Sequence, residues 1–208
     1  MTSKRIMLIG PSGSGKDTMA KIIVDIVPNC HSLAFAKEVK ILAENIIDYI
    51  DNAEGTQLAA TKELPDEAHR ILMRPFWQWL GTDLFRNHAD RNFWIRKIDQ
   101  KVTDIEENYR VSSNFVSAPS FVITDCRYEN EFQWGLDNGF VIVRVQGEWR
   151  QPTGLPGHTS EKDHLRLKEH LSYSNRGSIE DMRNWVSNVL LSFCREHWYD
   201  FSIPKEEH

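Results

Sequence analysis

Gly10, Gly13 and Gly15 punctuate the stretch Gly10-Pro11-Ser12-Gly13-Ser14-Gly15-Lys16-Asp17-Thr18, which closes on the cation Lys16. Glycines let a backbone wrap closely around an oxyanion with its N–H groups turned inward, and the N-terminus of a following helix adds the positive end of its dipole. Lys16 then supplies a point charge for the outer phosphates of a nucleoside triphosphate, and Gly10 to Thr18 become candidates to hold it. One position departs from the usual pattern. The residue after the lysine is commonly Ser or Thr, whose hydroxyl binds Mg²⁺; here it is Asp17, followed by Thr18. A carboxylate can hold Mg²⁺ directly or through water. Alternatively, Asp17 faces the acceptor side and Thr18 meets phosphate. The residue types leave both arrangements open.

Asp125 ends the apolar run Phe121-Val122-Ile123-Thr124. A strand-terminal carboxylate beside a phosphate-binding loop is a candidate to orient Mg²⁺, so Asp17 and Asp125 are the candidate metal residues. Arg127, two residues on, could fork onto phosphate oxygens, or pair with Glu129 or Glu131. A phosphate acceptor is a dianion and needs cations to approach a triphosphate; Lys40, Arg74 and Arg127 are available. Residues 147–163, rich in Gly, Pro and Thr, read as a lid that excludes water, with Arg150 as its cation. His158 and His164 lack the further ligands of a metal site. Phe76, Trp77, Trp79, Phe85, Phe93 and Trp94 could line a pocket for a flat base or simply pack helices together.

These residues need a scaffold that gathers them. Ile6-Met7-Leu8-Ile9 predicts a strand at 5–9 entering the glycine loop, and Met19 to Val24 predict a helix at 15–27. Further strands are predicted at 32–35, 121–124, 140–145 and 170–174. Helices are predicted at 36–51, 65–87 (with a break near Pro75), 90–108, 128–138 and 178–196. The last has Ser178 as N-cap, and Ile179, Met182, Val186, Val189, Leu190 and Phe193 facing inward. Alternating strands and helices imply an α/β fold with a parallel sheet, and ligands beyond the strands' carboxyl ends, where Gly10 and Asp125 both fall. The 208 residues suffice for one domain.

Composition narrows the function. No window of about 18 apolar residues exists, which argues against a membrane span, and no apolar segment with a cleavage site marks a secretory signal. Cys30, Cys126 and Cys194 are odd in number and widely spaced, fitting reduced thiols in a cytoplasmic protein. The net charge of −5 and the lack of a basic run argue against a stable grip on nucleic acid and for a small-molecule substrate.

Several motifs then occur in a telling order: Gly10 to Thr18, Phe35-Ala36-Lys37-Glu38-Val39-Lys40, Arg74-x-x-x-Gln78-x-x-Gly81-Thr82-Asp83, Asp90-x-x-x-Trp94, Thr124 to Glu131, His158-Thr159-Ser160-Glu161 and Asn175-Arg176-Gly177-Ser178. The chain resembles the bacteriophage deoxynucleoside monophosphate kinases, P-loop kinases related to adenylate and thymidylate kinases, from residue 6 to about 190. The resemblance implies a three-layer P-loop kinase fold with a helical acceptor-binding region at about 36–108 and a lid at about 146–163. It implies ATP and Mg²⁺ as cofactors and transfer of the γ-phosphoryl to a deoxynucleoside monophosphate. Lys16, Asp125, Arg127 and Arg150 would carry the transfer. Lys40, Arg74 and Arg127 would face the acceptor, and Gln78, Asp83, Trp94 and Glu131 would shape or read its base and sugar. Asn175 and Gly177 would border the donor adenine. A homodimer, and a host cytoplasm if the chain is phage-encoded, follow by the same analogy. Gln146-Gly147 stands where the resemblance leads one to expect Arg-Pro, which leaves Arg150 as the candidate lid arginine. A kinase acting on a hydroxymethylated base in phage DNA, and a nucleotide switch without catalysis, are the competing readings.

Overall fold

The computed structural model describes residues 3–58, 62, 64–112, 118–147 and 167–196. Most of the predicted lid, with Arg150, His158, Ser160, Glu161 and His164, lies outside the described residues.

Five strands form one sheet: β1 (Arg5–Ile9), β2 (Cys30–Leu33), β3 (Ser120–Ile123), β4 (Val141–Gln146) and β5 (Leu171–Ser174). Their order is β2-β3-β1-β4-β5, and every pairing is parallel. A parallel sheet is covered on both faces, so its strands read as continuous apolar runs. Side chains along them alternate between two cores. Met7, Ile9, Phe121, Ile123 and Ile142 point into one, with residues of α2 (Phe35–Glu54), α4 (Phe93–Val111) and α5 (Glu129–Asp137). Ile6, Leu8, Val122, Val141, Val143 and Val145 point into the other, with residues of α1 (Lys16–Ile26), α6 (Ile179–Trp185) and α7 (Leu191–Glu196). The result is the expected three-layer α/β arrangement, with the phosphate-loop candidate at the carboxyl end of the central strand β1.

Two helical segments depart from the 3.6-residue period. α3 (Asp66–Gln78) runs through Pro75 without ending there, and the chain continues as π-helical turns from Trp79 to Ala89. The expected break near Pro75 does not occur: the Trp79 N–H is shared between the carbonyls of Pro75 and Phe76, and the widened turns follow. The second π-helical turn, Val186–Leu190, lies between α6 and α7. In a regular α-helix each step of four residues over-rotates by about 40°. A wider turn reduces that drift, so a buried seam can recur every fourth residue. Met182, Val186, Leu190 and Cys194 form such a seam, each buried. Ile179 and Val189, expected inward from a 3.6 period, are 66% and 42% exposed instead.

β2 also differs from expectation. It spans Cys30–Leu33 rather than 32–35, and Phe35 already belongs to α2. The helix starts early because its first amides are capped from elsewhere in the chain. The Phe35 N–H donates to Asp125 Oδ1 at 2.9 Å, and the Ala36 N–H to Asp125 Oδ2 at 2.7 Å.

Candidate active site

The glycine loop is seated by contacts that exclude side chains. Gly10, Gly13 and Gly15 have φ of +138°, +77° and +103°, a region L-residues disfavour. A Cβ on Gly10 would lie 2.3 Å from the Val145 carbonyl oxygen, and one on Gly15 would lie 2.4 Å from Asn175 Nδ2. Asn175 clamps the loop by donating its side-chain amide to the Ser14 carbonyl at 2.9 Å. Gly147 packs on the same residue, since a Cβ there would sit 2.9 Å from the Ser14 oxygen. This gives Gln146-Gly147 a physical reason: a larger residue at 147 would push the loop out of place. Gly177 has a comparable local role, because a Cβ would fall 2.6 Å from the Asp181 carboxylate. That carboxylate accepts the Ser178 N–H at 2.7 Å and completes the predicted cap of α6.

Lys16 bridges the loop it follows. Its Nζ donates to the carbonyls of Gly10 at 2.9 Å and Pro11 at 2.6 Å, and lies 3.5 Å from Ser14 Oγ. The ammonium is therefore held across the loop. α1 begins at Lys16 with Gly15 as its N-cap and no side chain capping it, so the dipole's positive end faces the loop. The arrangement can receive an anion.

Beside Ser12 opens a cleft of about 270 Å³. Of the residues expected at the acceptor, Lys40, Arg74, Gln78, Trp94, Arg127 and Glu131 all line it, and Asp125 joins them. Asp83 does not line it; its backbone carbonyl accepts from His88 Nδ1. Among the aromatics, Trp77 and Trp94 reach the cleft. Phe76 stacks on Trp79, and Phe85 packs on Phe93 with centroids 4.4 Å apart, so these four serve packing. The Trp94 indole N–H is already engaged by the Gly81 carbonyl at 2.8 Å, which makes Trp94 a fixed wall. Lys40 Nζ stands 4.7 Å from the centre of the Trp77 ring.

Sequence reasoning missed Arg86, Thr82 and Tyr128 as cleft residues. Arg86 is buried and pairs with Glu131 Oε1. Its Nη1 donates to Asn130 Oδ1 at 2.8 Å, and its guanidinium carbon lies 3.6 Å from the centre of the Tyr128 ring. Tyr128 OH and Thr82 Oγ1 are hydrogen-bonded at 3.0 Å. Both Glu131 oxygens are engaged within the protein: Oε1 holds Arg86, while Oε2 accepts the backbone N–H groups of Arg127 at 3.0 Å and Tyr128 at 3.2 Å. Burial pushes the Glu131 carboxyl up to about 7, against Arg86 and the two N–H donors, which favour the charged form. The signal that could have found Arg86 is its spacing. Arg74, Gln78, Thr82 and Arg86 recur every fourth residue, and the widened helix keeps them on one cleft.

Surrounding protein also raises the Asp125 carboxyl, opposed by its two bonds to α2 amides and by Arg127; the nearby charge of Asp17 raises it further. Among the described residues no group of three or more His, Cys, Asp or Glu could hold a metal. The three thiols are unpaired, and burial pushes them up: Cys30 to about 12, Cys194 to about 11, and Cys126 well above its ordinary value. They carry no nucleophile. No helix among the described residues is long and apolar enough to cross a membrane.

Four buried side-chain polar atoms among the described residues lack a hydrogen-bond partner: Ser3 Oγ, Trp77 Nε1, Gln78 Oε1 and Arg86 Nε. Three of these belong to residues lining the cleft. Each such group costs about 1–3 kcal/mol unless a ligand or water satisfies it. That three of the four belong to cleft residues suits the cleft to a polar ligand.

Comparison with known proteins adds family membership. A crystal structure of a sugar kinase from Janibacter sp. HTCC2649 aligns over 96% of both chains at 13% identity, but its TM-score of 0.42 is too low to carry an argument. No curated protein matches the sequence. The family model for deoxynucleotide monophosphate kinase matches residues 30–186, a span that starts after the glycine loop and takes in every acceptor-cleft residue from Phe35 to Glu131. Since that span exceeds half of the chain, this protein belongs to the deoxynucleotide monophosphate kinase family.

Proposed function

We propose that the chain transfers the γ-phosphoryl group of ATP to a deoxynucleoside monophosphate, giving the diphosphate and ADP. The observation that carries this reading is the cationic cleft beside the glycine loop. Lys40, Arg74 and Arg127 share it with Ser12 of the loop, so an acceptor dianion held there would meet a triphosphate seated on the loop amides. The acceptor phosphate is already ionised and needs no strong base. The chain's task is alignment and neutralisation of charge. Lys16, held across the loop, would meet the outer phosphates; Arg127 would bridge donor and acceptor oxygens; Arg150 would supply a further cation from the lid.

Asp17 and Asp125 would be the carboxylates to hold Mg²⁺; hard oxygen donors with retained waters suit this ion, and the charge of Asp17 is felt at Asp125. Each Asp125 oxygen accepts one amide and keeps a further lone pair. Bound there, Mg²⁺ would neutralise developing charge on the phosphoryl oxygens.

The experiment is a coupled ADP-release screen with ATP and dAMP, dGMP, dCMP, dTMP or modified pyrimidine monophosphates, run beside hydroxymethylated DNA. Turnover of a free monophosphate, with none on the DNA, is expected. ADP release with the DNA alone would overturn the reading.

A further inference from the structure

We propose that Arg86 reads the base of the acceptor nucleotide, its Nε–H donating to an acceptor atom on the base, while Glu131 and Tyr128 hold the guanidinium in place. This rests on the nucleotide reading of the cleft. Arg86 is 8% exposed and lines the cleft. Two of its three nitrogens are committed, Nη1 to Asn130 and Nη2 to Glu131. The face of the guanidinium is covered by the Tyr128 ring. With fork and face fixed, the side chain has no freedom to seek another partner, and Nε is left buried without one.

Position along the helix gives the ladder a direction. Arg74 and Arg86 are the two cations of the Arg74, Gln78, Thr82, Arg86 row, three four-residue steps apart. Arg86 already has a carboxylate against it, so its charge is spent on Glu131. A phosphate placed against Arg86 would compete with that buried carboxylate. An uncharged acceptor, such as a ring nitrogen or carbonyl of a base, would satisfy Nε without disturbing the pair. Gln78 Oε1 and Trp77 Nε1, also unpartnered, belong to residues lining the same cleft and add one acceptor and one donor. The cleft therefore divides between Lys40, Arg74 and Arg127 for charge and Trp77, Gln78 and Arg86 for hydrogen-bond pattern.

The test compares a base-bearing ligand with one that has none. Wild-type protein and Arg86→Lys are titrated calorimetrically with dAMP, dGMP, dCMP, dTMP and 2-deoxyribose 5-phosphate. Lysine keeps the charge beside Glu131 but removes Nε and the planar fork. The tightest-binding monophosphate is expected to weaken by about 10- to 100-fold, the loss of one charge-assisted hydrogen bond. Binding of 2-deoxyribose 5-phosphate is expected to hold within about threefold, within the scatter of such comparisons. Equal weakening of both ligands, or no weakening of either, would overturn the proposal. Should Arg86→Lys fail to fold, the double variant Arg86→Met/Glu131→Gln removes both buried charges together, and the same contrast is scored on it. Failure of the phosphoryl-transfer reading is separable: it would show as no ADP release with any monophosphate, while base-dependent binding is still measured.

Discussion

The Asn175 side-chain amide lies 2.9 Å from the Ser14 carbonyl oxygen, so the end of β5 holds the glycine loop from 161 residues away. The same amide sits where a Cβ on Gly15 would have to go. Asn175 is thus a positioning residue for the loop, and the donor site should feel its loss more than the acceptor site. A hydrogen bond of this kind contributes about 1 kcal/mol. Asn175→Ala is expected to raise KM for ATP by about three- to tenfold and to leave KM for the monophosphate unchanged. Steady-state kinetics with each substrate varied in turn checks this; equal rises in both KM values would show that Asn175 supports the whole site.

Lys16 offers a stricter test of the phosphate cradle. Its ammonium bridges two loop carbonyls and stands at the start of α1, where no apolar core depends on it. Lys16→Ala should therefore leave the fold intact by circular dichroism while lowering kcat by at least about 10²-fold, the cost of removing a cation aimed at developing phosphoryl charge. A folded Lys16→Ala protein with near-normal turnover would remove the basis for placing ATP on this loop.

The sequence signals that succeeded were local ones. The apolar run ending at Ile9, the glycines before Lys16 and the Ser178 cap each announce themselves within a few residues, and the strand, the loop backbone and the cap follow. The misses share a different cause. α2 starts at Phe35 because a carboxylate 90 positions away in sequence caps it, which no window along the chain can reveal. Arg86 escaped because a 3.6-residue period rotates it off the cleft, whereas the π-helical turns restore it. Asp83, an acceptor residue by the resemblance, does not line that cleft. Glu131, a base or sugar residue by the resemblance, spends its oxygens on Arg86 and two backbone amides, partners that no spacing announces.

Asp125 has one function visible in its contacts and a second under proposal. Both oxygens cap α2, the helix that carries Lys40 into the cleft. Removal of an N-cap acceptor costs about 1–2 kcal/mol, so Asp125→Ala should lower stability by that amount in urea unfolding. Asp125→Asn keeps an acceptor for one of the two amides and should lose less. If Asp125 also helps to hold Mg²⁺, the Asn variant will need a higher Mg²⁺ concentration for half-maximal activity. A full return of stability in Asp125→Asn, with an unchanged Mg²⁺ dependence, would leave Asp125 as a cap alone.

Glu131 makes the site sensitive to pH in a defined direction. Desolvation lifts its folded-state pKa to about 7, above the ordinary 4.5. The folded protein therefore binds this proton more tightly than the unfolded chain does. The stability it contributes is fully present below about pH 4.5 and is withdrawn as pH rises through 7. Function runs the opposite way. The ionised form grips Arg86 and the amides of Arg127 and Tyr128, so protonation loosens the hold on all three cleft residues at once. Acceptor affinity is expected to fall on the acid side of about pH 7 in the wild type. The monophosphate's own second ionisation, near pH 6, adds a similar limb, and Glu131→Gln separates the two. In that variant the limb belonging to the ligand should persist alone, shifted toward pH 6, and the stability difference between pH 5 and pH 8 should shrink. An identical acid limb in both proteins would mean that Glu131 stays ionised throughout, and that Arg86 is held without regard to pH.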